Sequence, residues 1–283
     1  MTELQTRSLH RCFGGRQGFY SHDSEACNGP MNFAVFVPPH QPGARLPVVY
    51  YLSGLTCTEE VFVIKAGAQR IAAELGLVLV SPDTSPRHTG IKDATGDWEF
   101  GEGAGFYLDA TQAPYRENFR MYSYITRDLP EAIAEHFPVD TTRAGIMGHS
   151  MGGHGALTIG LRNRARYASI SAFAPIVAPT EVPWGQKAFP RYLGEDREHW
   201  QDYDACALVA RQQTNGTILV DQGLGDDFLE TQLQPERFEQ ACAAAGQALE
   251  LRRHPGYDHG YFFIQSFIED HLRHHAAALS SAD

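Results

Sequence analysis

The chain has 283 residues, 43% of them hydrophobic, and a formal net charge of -11 at pH 7. This charge repels phosphate backbones and anionic lipid, so it argues against a nucleic-acid or membrane-surface role and favours a protein that acts on a small molecule. The N-terminus lacks the basic start and apolar core of a signal peptide, and no run of 18 apolar residues occurs. We therefore expect a cytoplasmic protein.

The cysteines indicate neither a disulfide framework nor a structural zinc site. They are odd in number, widely spaced and without a Cys-x-x-Cys pair. They are Cys12, Cys27, Cys57, Cys206 and Cys242. We expect reduced thiols. No linker, charge block or internal repeat divides the chain, so a single domain over 1–283 is expected.

The first half of the chain is predicted from hydrophobic patterns and from the glycines and prolines that interrupt them. The expected elements are an irregular edge strand or hairpin arm over 8–21, strands over 31–37, 47–53 and 77–80, and a helix over 62–75. The strands over 47–53 and 77–80 are continuous apolar runs, which is typical of strands buried on both faces of a parallel sheet.

Regular periodicity disappears between residues 81 and 117, where glycine, proline and aspartate recur. Aromatic residues persist there, including Trp98. A segment this long without regular structure is usually functional or disordered, and the aromatic content argues against disorder. We expect a structured wall near the functional site.

The second half alternates between helical and strand patterns. The expected elements are helices over 122–137, 155–160, 235–245 and 260–275, strands over 144–147, 167–173, 217–221 and 249–254, and a Pro-rich excursion over 175–190. Strands that alternate with helices predict a mostly parallel sheet with helices on both faces. The order of elements is that of an α/β-hydrolase fold.

The motif Gly148-x-Ser150-x-Gly152 follows the strand over 144–147 and precedes an apolar helix. This is the context of a nucleophile elbow, a sharp turn that lifts one serine hydroxyl clear of the sheet. A side chain at Gly148 or Gly152 would collide with the neighbouring strand or helix. The alternative, a flexible turn or a helix N-cap, is weaker in this context, so Ser150 is the predicted nucleophile.

The order Ser, then Asp or Glu, then His in this fold selects among the thirteen histidines. Of those after the serine, only His259 lies in the loop between the last strand and the last helix, where a base that reaches Ser150 is expected. The acid should follow the strand over 217–221, which leaves Asp226 and Asp227 open. Two other aspartates are assigned structural roles: Asp221 a hydrogen bond at the strand end, and Asp258 a helix N-cap.

An oxyanion hole needs two backbone N–H groups that face the developing negative charge. In this fold, one comes from the residue after the nucleophile, here Met151. The other comes from the loop after the strand over 47–53, where Leu55 is the predicted donor. A serine esterase or thioesterase is the activity that these residues indicate.

Ten segments in order along the chain resemble the S-formylglutathione hydrolase family, also called esterase D. They are YYLSGLTCTEE (50–60), KAGAQR (65–70), SPDTSPR (81–87), WEFGEGAGFYLDAT (98–111), GHSMGGHGAL (148–157), SAFAPI (171–176), PWGQKAF (183–189), YLG (192–194), DQG (221–223) and GYDHGYFFI (256–264). The resemblance implies nucleophile Ser150, base His259 and acid Asp226, although the position after the acid, commonly Gln in the family, is Asp227 here.

The resemblance also implies an activity and an assembly. The implied reaction is hydrolysis of S-formylglutathione to formate and glutathione in formaldehyde detoxification, by a cytosolic homodimer with no metal or organic cofactor. It further implies that Cys57 is a thiol near the site, sensitive to alkylation but not catalytic. The runners-up are a broad short-chain carboxylesterase and an acyltransferase on the same fold.

Other residues are interpreted in two ways. Cys57 is either a reactive thiol near the oxyanion loop or a small buried hydrophobe. Trp98 and Trp184 are either core residues or walls of the acyl pocket. His271, His274 and His275 could be metal ligands, but without an evident carboxylate or Cys partner they are better explained by the dipole at a helix C-terminus. No metal is expected.

Overall fold

The computed structural model describes residues 3–280. Within this range nine strands form one sheet in the order β1-β2-β3-β5-β4-β6-β7-β8-β9. Their bounds are β1 Gln5–Cys12, β2 Gly15–Ser24, β3 Gly29–Val37, β4 Leu46–Leu52, β5 Val78–Pro82, β6 Val139–His149, β7 Tyr167–Phe173, β8 Ile218–Gly223 and β9 Leu249–His254. The first three strands pair antiparallel, and β4 to β9 are parallel to one another.

Helices lie against this sheet. Their bounds are α1 Glu59–Lys65, α2 Gln69–Leu75, α3 Met121–Ser123, α4 Leu129–His136, α5 Met151–Arg162, α6 Pro183–Leu193, α7 Arg197–Trp200, α8 Ala205–Arg211, α9 Pro235–Ala245 and α10 Tyr261–Leu279. The central strands β4 and β5 are buried along most of their length, as the continuous apolar runs over 47–53 and 77–80 predict. The expected α/β-hydrolase architecture, a mostly parallel sheet between helices, is confirmed.

The segment over 8–21, predicted as an irregular edge strand or a hairpin arm, contains the turn of a hairpin and parts of both its strands, β1 and β2. Cys12 pairs with Gly15, and the residues between them, Phe13 and Gly14, both have positive φ and form a hairpin turn. Strand β1 is exposed along most of its length, so it has no apolar face that would have marked it in the sequence.

The predicted helix over 62–75 is two helices, α1 and α2. Gly67 between them has a φ of +68°, and this left-handed conformation ends the first helix and redirects the chain. The apolar spacing continues across the break because both helices pack on the same core, so periodicity alone did not reveal it.

The Pro-rich excursion over 175–190 contains the unpredicted helix α6. Pro183 lies in the first turn of α6, where a backbone N–H has no intrahelical acceptor and its absence costs nothing. The short helices α7 and α8 were not predicted either. The helix expected over 122–137 is present as α3 and α4, joined by a wider π-type turn over Tyr124–Asp128.

The carboxyl ends of the parallel strands meet at one edge of the sheet. Strand β4 leads there into Leu55, β6 into Ser150, β8 into Asp226 and β9 into His259. These strands are neighbours or separated only by β7. The fold therefore brings together residues that lie far apart in the sequence.

Candidate active site

Ser150 occupies the turn between β6 and α5 with a φ of 59° and a ψ of -120°. A non-glycine residue in this region carries strain of order 1–3 kcal/mol and persists only where the surroundings fix it. Its N–H donates to the Phe173 carbonyl at 3.0 Å, and its own carbonyl accepts from His154 N at 2.9 Å. The hydroxyl is thus placed by backbone contacts on both sides of the turn.

The two motif glycines are required by close backbone packing. A β-carbon on Gly148 would overlap the Gly152 carbonyl, and one on Gly152 would overlap the Leu52 carbonyl at the end of β4. Neither neighbour is a flexible side chain that could move aside. The collision predicted from the motif is therefore confirmed.

His259 and Asp226 form a close pair. The His259 Nδ1 to Asp226 Oδ2 distance is 2.5 Å, and the Asp226 side chain is fully buried. Asp226 Oδ1 accepts the Phe228 N–H at 2.8 Å, which fixes the carboxylate plane. Because a carboxylate only accepts hydrogen bonds, the shared proton belongs to Nδ1 and leaves His259 Nε2 as an acceptor. Asp227 is exposed and makes no such pair.

The loops after β8 and β9 are joined through their backbones. Leu224 N–H donates to the His254 carbonyl at 2.9 Å, and Gly225 N–H donates to the Tyr257 carbonyl at 2.8 Å. These bonds hold the loop that bears Asp226 against the loop that bears His259. The His259 ring also lies against the His149 ring, with centroids 4.5 Å apart, so it adjoins the residue before Ser150.

The predicted N-cap role of Asp258 is wrong. The residue that caps α10 is Gly260, whose backbone is extended, and no side-chain cap bond is formed there. Asp258 Oδ1 instead accepts the Gly260 N–H at 2.9 Å and braces the tight turn after His259.

Of the two predicted oxyanion donors, Met151 follows Ser150 in the chain, and Leu55 follows Gly54, which packs against Ser150. Met151 is the first residue of α5, so its N–H has no intrahelical acceptor and is free for a ligand. Leu55 follows Gly54, where a β-carbon would lie 3.1 Å from the Ser150 β-carbon. The adjacent Thr56 N–H donates to the Gly103 carbonyl at 2.8 Å. The segment over 81–117 therefore bonds to the loop after β4, next to the point where Gly54 approaches Ser150.

The Cys57 side chain is partly buried, so its exposure lies between that of a reactive surface thiol and that of a small buried hydrophobe. Burial raises the pKa of its thiol above the ordinary value, and the nearby Lys65 ammonium opposes this shift only in part. Its carbonyl accepts from Thr84 Oγ1 at 2.6 Å and from Arg87 Nη2 at 3.0 Å. The residue thus anchors the loop through its backbone, and its thiol is largely protonated at neutral pH.

A row of aromatic rings runs from the protein surface to the imidazole of His259. Trp98, which is 51% exposed, meets the buried Trp184 edge to face with centroids 5.8 Å apart. The ring centroids of Trp184 and Phe228 are 4.8 Å apart, and those of Phe228 and His259 are 5.1 Å apart. The indole N–H of Trp184 donates to Glu99 Oε1 at 2.8 Å. Phe228, which the sequence did not single out, therefore links the two tryptophans to His259.

Two of the three histidines predicted near the C-terminus of α10, His271 and His275, belong to a buried polar network, and the third, His274, is partly buried. His271 Nδ1 lies 2.8 Å from Ser171 Oγ, and His275 Nε2 lies 2.9 Å from the same oxygen. The helix continues to Leu279, so the predicted dipole explanation is wrong. Among residues 3–280 no group of three or more His, Cys, Asp or Glu is arranged to hold a metal ion.

The centre of this network is the buried carboxylate of Asp221. Arg252 binds it with two N–H groups at 2.6 Å each, and His271 Nε2 lies 3.2 Å away. Burial would raise the pKa of Asp221, but the bonds from His271 and Arg252 outweigh it and hold this pKa well below its usual range. The hydrogen-bonding role predicted for Asp221 is correct, but its partners were not visible in the sequence.

In the part of the chain that the structure describes, no helix has the length and apolarity to cross a bilayer.

Comparison with known proteins places this site in a family. The profile of the family described as "Putative esterase" matches residues 24–274. The S-formylglutathione hydrolase of Arabidopsis thaliana is 51% identical over 272 residues, which cover 95% of each chain. That of Rattus norvegicus is 49% identical over 281 residues, which cover 99% of this chain and all of the relative.

A solved structure shows the same similarity. The S-formylglutathione hydrolase of Agrobacterium tumefaciens superposes with a TM-score of 0.95 at 50% sequence identity, over 97% of this chain and 99% of that one. The likeness therefore extends over nearly the whole length of all three relatives. The chain belongs to this esterase family, and the three S-formylglutathione hydrolases are relatives that share about 50% sequence identity with it.

Proposed function

We propose that the protein hydrolyses S-formylglutathione to formate and glutathione through a formyl-enzyme intermediate on Ser150. The observation that carries the proposal is the pair of His259 and buried Asp226 beside the strained Ser150 turn, with a 2.5 Å bond between imidazole and carboxylate. The S-formylglutathione hydrolases named above, about half identical over nearly the full chain, support the choice of substrate.

In the first half of the reaction, His259 Nε2 takes the Ser150 proton while Oγ attacks the formyl carbon. Asp226 keeps the proton on Nδ1 and stabilises the imidazolium that forms. Negative charge develops on the formyl oxygen, which accepts hydrogen bonds from the N–H groups of Leu55 and Met151. The carbon–sulfur bond then breaks, and glutathione leaves as the thiol after His259 returns the proton.

In the second half, water replaces glutathione. His259 takes a proton from this water as it attacks the formyl carbon, and the same N–H groups stabilise the new oxyanion. The bond to Ser150 Oγ then breaks as His259 returns the proton to Oγ, and the formic acid released ionises to formate. A thiol has a pKa of about 8.5, so its departure needs less proton donation than that of an alcohol. A thioester therefore demands less acid catalysis from His259 than an alkyl ester does.

The row of aromatic rings supports a small acyl group. Trp184 and Phe228 are packed against each other next to His259, and Trp184 is fixed further by its bond to Glu99. We place the acyl group on this side of Ser150, where bulky rings restrict the length of chain that fits. Each added methylene changes selectivity by only about 1–3 kcal/mol, so the exclusion of short acyl groups is partial.

We further propose that the chain is a single domain over 1–283 that acts in the cytosol as a homodimer. The single sheet and the continuous apolar core support the first point. The location and the dimer are the properties implied by the family resemblance. No metal or organic cofactor has a part in the proposed chemistry, which the side chains of Ser150, His259 and Asp226 supply.

The test is kcat/KM across formyl, acetyl, propionyl, butyryl and hexanoyl esters, each with glutathione and with a simple alcohol as leaving group. We expect the highest value for S-formylglutathione, weaker activity on acetyl substrates and a steep fall by butyryl. A maximum at butyryl or longer, or no preference for the glutathione thioester, would instead identify a general carboxylesterase. Transfer of the acyl group to an added alcohol in preference to water would identify an acyltransferase.

A further inference from the structure

Phe106 and Tyr107 form an unusual pair within the irregular segment over 81–117. They are consecutive, fully buried and both left-handed, with φ values of 47° and 50°. Residues with a β-carbon disfavour this conformation, and two in succession persist only where their surroundings hold them. The contacts that hold this pair lie on two parts of the active site.

One set of contacts comes from α5, the helix that begins immediately after Ser150. His154 Nε2 lies 2.9 Å from the Phe106 carbonyl, which can only accept, so this nitrogen carries the proton. Burial lowers the pKa of His154 to about 4, although the Phe106 bond opposes the shift, and the ring is neutral at physiological pH. Gly155 leaves room for the Tyr107 ring, since a β-carbon there would lie 2.6 Å from Tyr107 Cδ2.

The other contact reaches the loop after β4. The Tyr107 hydroxyl donates to the Ser53 carbonyl at 2.9 Å, and Ser53 is followed by Gly54 and by Leu55, the proposed oxyanion donor. The carbonyl of Ser53 belongs to the peptide group that leads into Gly54, so a bond to it fixes the orientation of the chain just before the donor. The pair thus joins the helix that supplies the Met151 N–H to the loop that supplies the Leu55 N–H.

We propose that Tyr107 is a positioning residue for the oxyanion hole: its hydroxyl, held by the contacts of the Phe106–Tyr107 pair with α5, sets the place of the Leu55 N–H relative to Ser150 and the Met151 N–H. This inference rests on the proposed function in taking Ser150 as the nucleophile and the Leu55 and Met151 N–H groups as the oxyanion donors. It does not depend on which acyl group or leaving group the enzyme prefers.

The first test is Tyr107→Phe, which keeps the ring against Gly155 and removes only the bond to the Ser53 carbonyl. Loss of an oxyanion donor lowers kcat by about 10²–10³-fold, and a displaced donor should cost less. We expect kcat to fall about 10- to 100-fold with KM within two-fold, measured on p-nitrophenyl acetate. The matched control is Tyr124→Phe, which removes another buried hydroxyl, one that lies 3.2 Å from His22 Nε2; its kcat should stay within two-fold of wild type.

A second measurement distinguishes a displaced Leu55 N–H from a general loss of packing around the site. Replacing the ester carbonyl oxygen by sulfur gives a thionoester. Sulfur is a larger and weaker hydrogen-bond acceptor than oxygen, so the oxyanion hole stabilises the transition state of a thionoester much less. A displaced Leu55 N–H therefore slows the oxoester much more than the thionoester. We expect Tyr107→Phe to lower the oxoester-to-thionoester ratio of kcat/KM at least five-fold, with the midpoint of the acid limb of the pH–rate profile unchanged.

Equal losses on the two esters, a kcat within two-fold of wild type or a shifted pH profile would overturn the proposal. If Tyr107→Phe does not fold, His154→Leu removes the opposite support of the pair and His154→Gln retains an N–H donor. The leucine variant should show the reduced ester ratio and the glutamine variant should restore it; the same ratio in both would also overturn the proposal. The p-nitrophenyl assays remain informative even if S-formylglutathione proves not to be the substrate.

Discussion

Asp226→Asn is the substitution for which the site geometry predicts the clearest consequence. Asp226 Oδ1 accepts the Phe228 N–H at 2.8 Å, and Oδ2 faces His259 Nδ1 at 2.5 Å. An asparagine has one oxygen and one NH₂ group. Retaining the backbone bond from Phe228 places its oxygen at Oδ1 and therefore its NH₂ group against His259.

The expected loss follows from the tautomer of the imidazole. Facing an NH₂ donor, His259 Nδ1 must become the acceptor, so its proton moves to Nε2, the atom that has to receive the Ser150 proton. The base is then blocked while the packing of the site is retained. The same change in a Ser-His-Asp triad elsewhere lowers kcat by about 10⁴-fold, and we expect a loss of that order here.

The matched control is Asp227→Asn, because that side chain is exposed at the next position and makes no bond to His259. Its kcat should stay within about two-fold of wild type on S-formylglutathione and on p-nitrophenyl acetate. Both variants should give the wild-type circular dichroism spectrum and urea midpoints within about 1 M of it. A large loss in the Asp227 variant with a small loss in the Asp226 variant would transfer the role of the acid to Asp227.

Three further predictions concern other parts of the molecule. Ser150→Ala should lower turnover by roughly 10⁴-fold or more without unfolding, and an active-site phosphonate should label wild type at Ser150; labelling at another residue would contradict the assignment. A bulky alkylating reagent should inactivate wild type, whereas Cys57→Ala should keep most activity and resist the reagent; a folded but inactive Cys57→Ala would point to a direct catalytic role. Burial lowers the pKa of His271, against the opposing bond from Asp221, and also lowers that of His275. Because the folded state then binds fewer protons than the unfolded state, the free energy of unfolding should be fully retained above about pH 6.5 and fall below it, by up to roughly 1.4 kcal/mol per pH unit for each histidine. Urea unfolding between pH 8 and 5 measures this, and a flat profile would show that these rings are not kept neutral.

Strands with continuous apolar sequences were predicted well because burial on both faces of the sheet determines their composition. The strands over 47–53 and 77–80 correspond to β4 and β5 within one or two residues. Elements whose positions depend on contacts far along the chain were less visible. Helix α6 was hidden because Pro183 and Pro190 suggested a break, although the first proline occupies a position where the helix tolerates it and the second lies inside the helix.

The site was predictable where a local motif or the chain order constrains a residue. Ser150 has a motif, and His259 lies at the one remaining histidine position between the last strand and the last helix. The residues alone left Asp226 and Asp227 open, and only the family resemblance favoured Asp226. The burial of Asp226 and the exposure of Asp227 support the same choice, but no local pattern in the sequence encodes them. Supporting contacts such as Tyr107 to Ser53 join positions 54 residues apart and leave no local pattern.

The exposed first strand has a consequence for how the molecule opens. Strand β1 is bonded along one side to β2, while no strand among residues 3–280 pairs with its other edge and most of its side chains face water. Separating β1 from the sheet therefore exposes little apolar surface that was not already exposed. Its amide hydrogens should exchange with solvent through local opening, well before those of β4 and β6. Exchange of the amide hydrogens in β4 and β6, which lead into the proposed oxyanion loop and into Ser150, should require much more extensive unfolding. Strand β1 can therefore fluctuate while the geometry of the site is preserved.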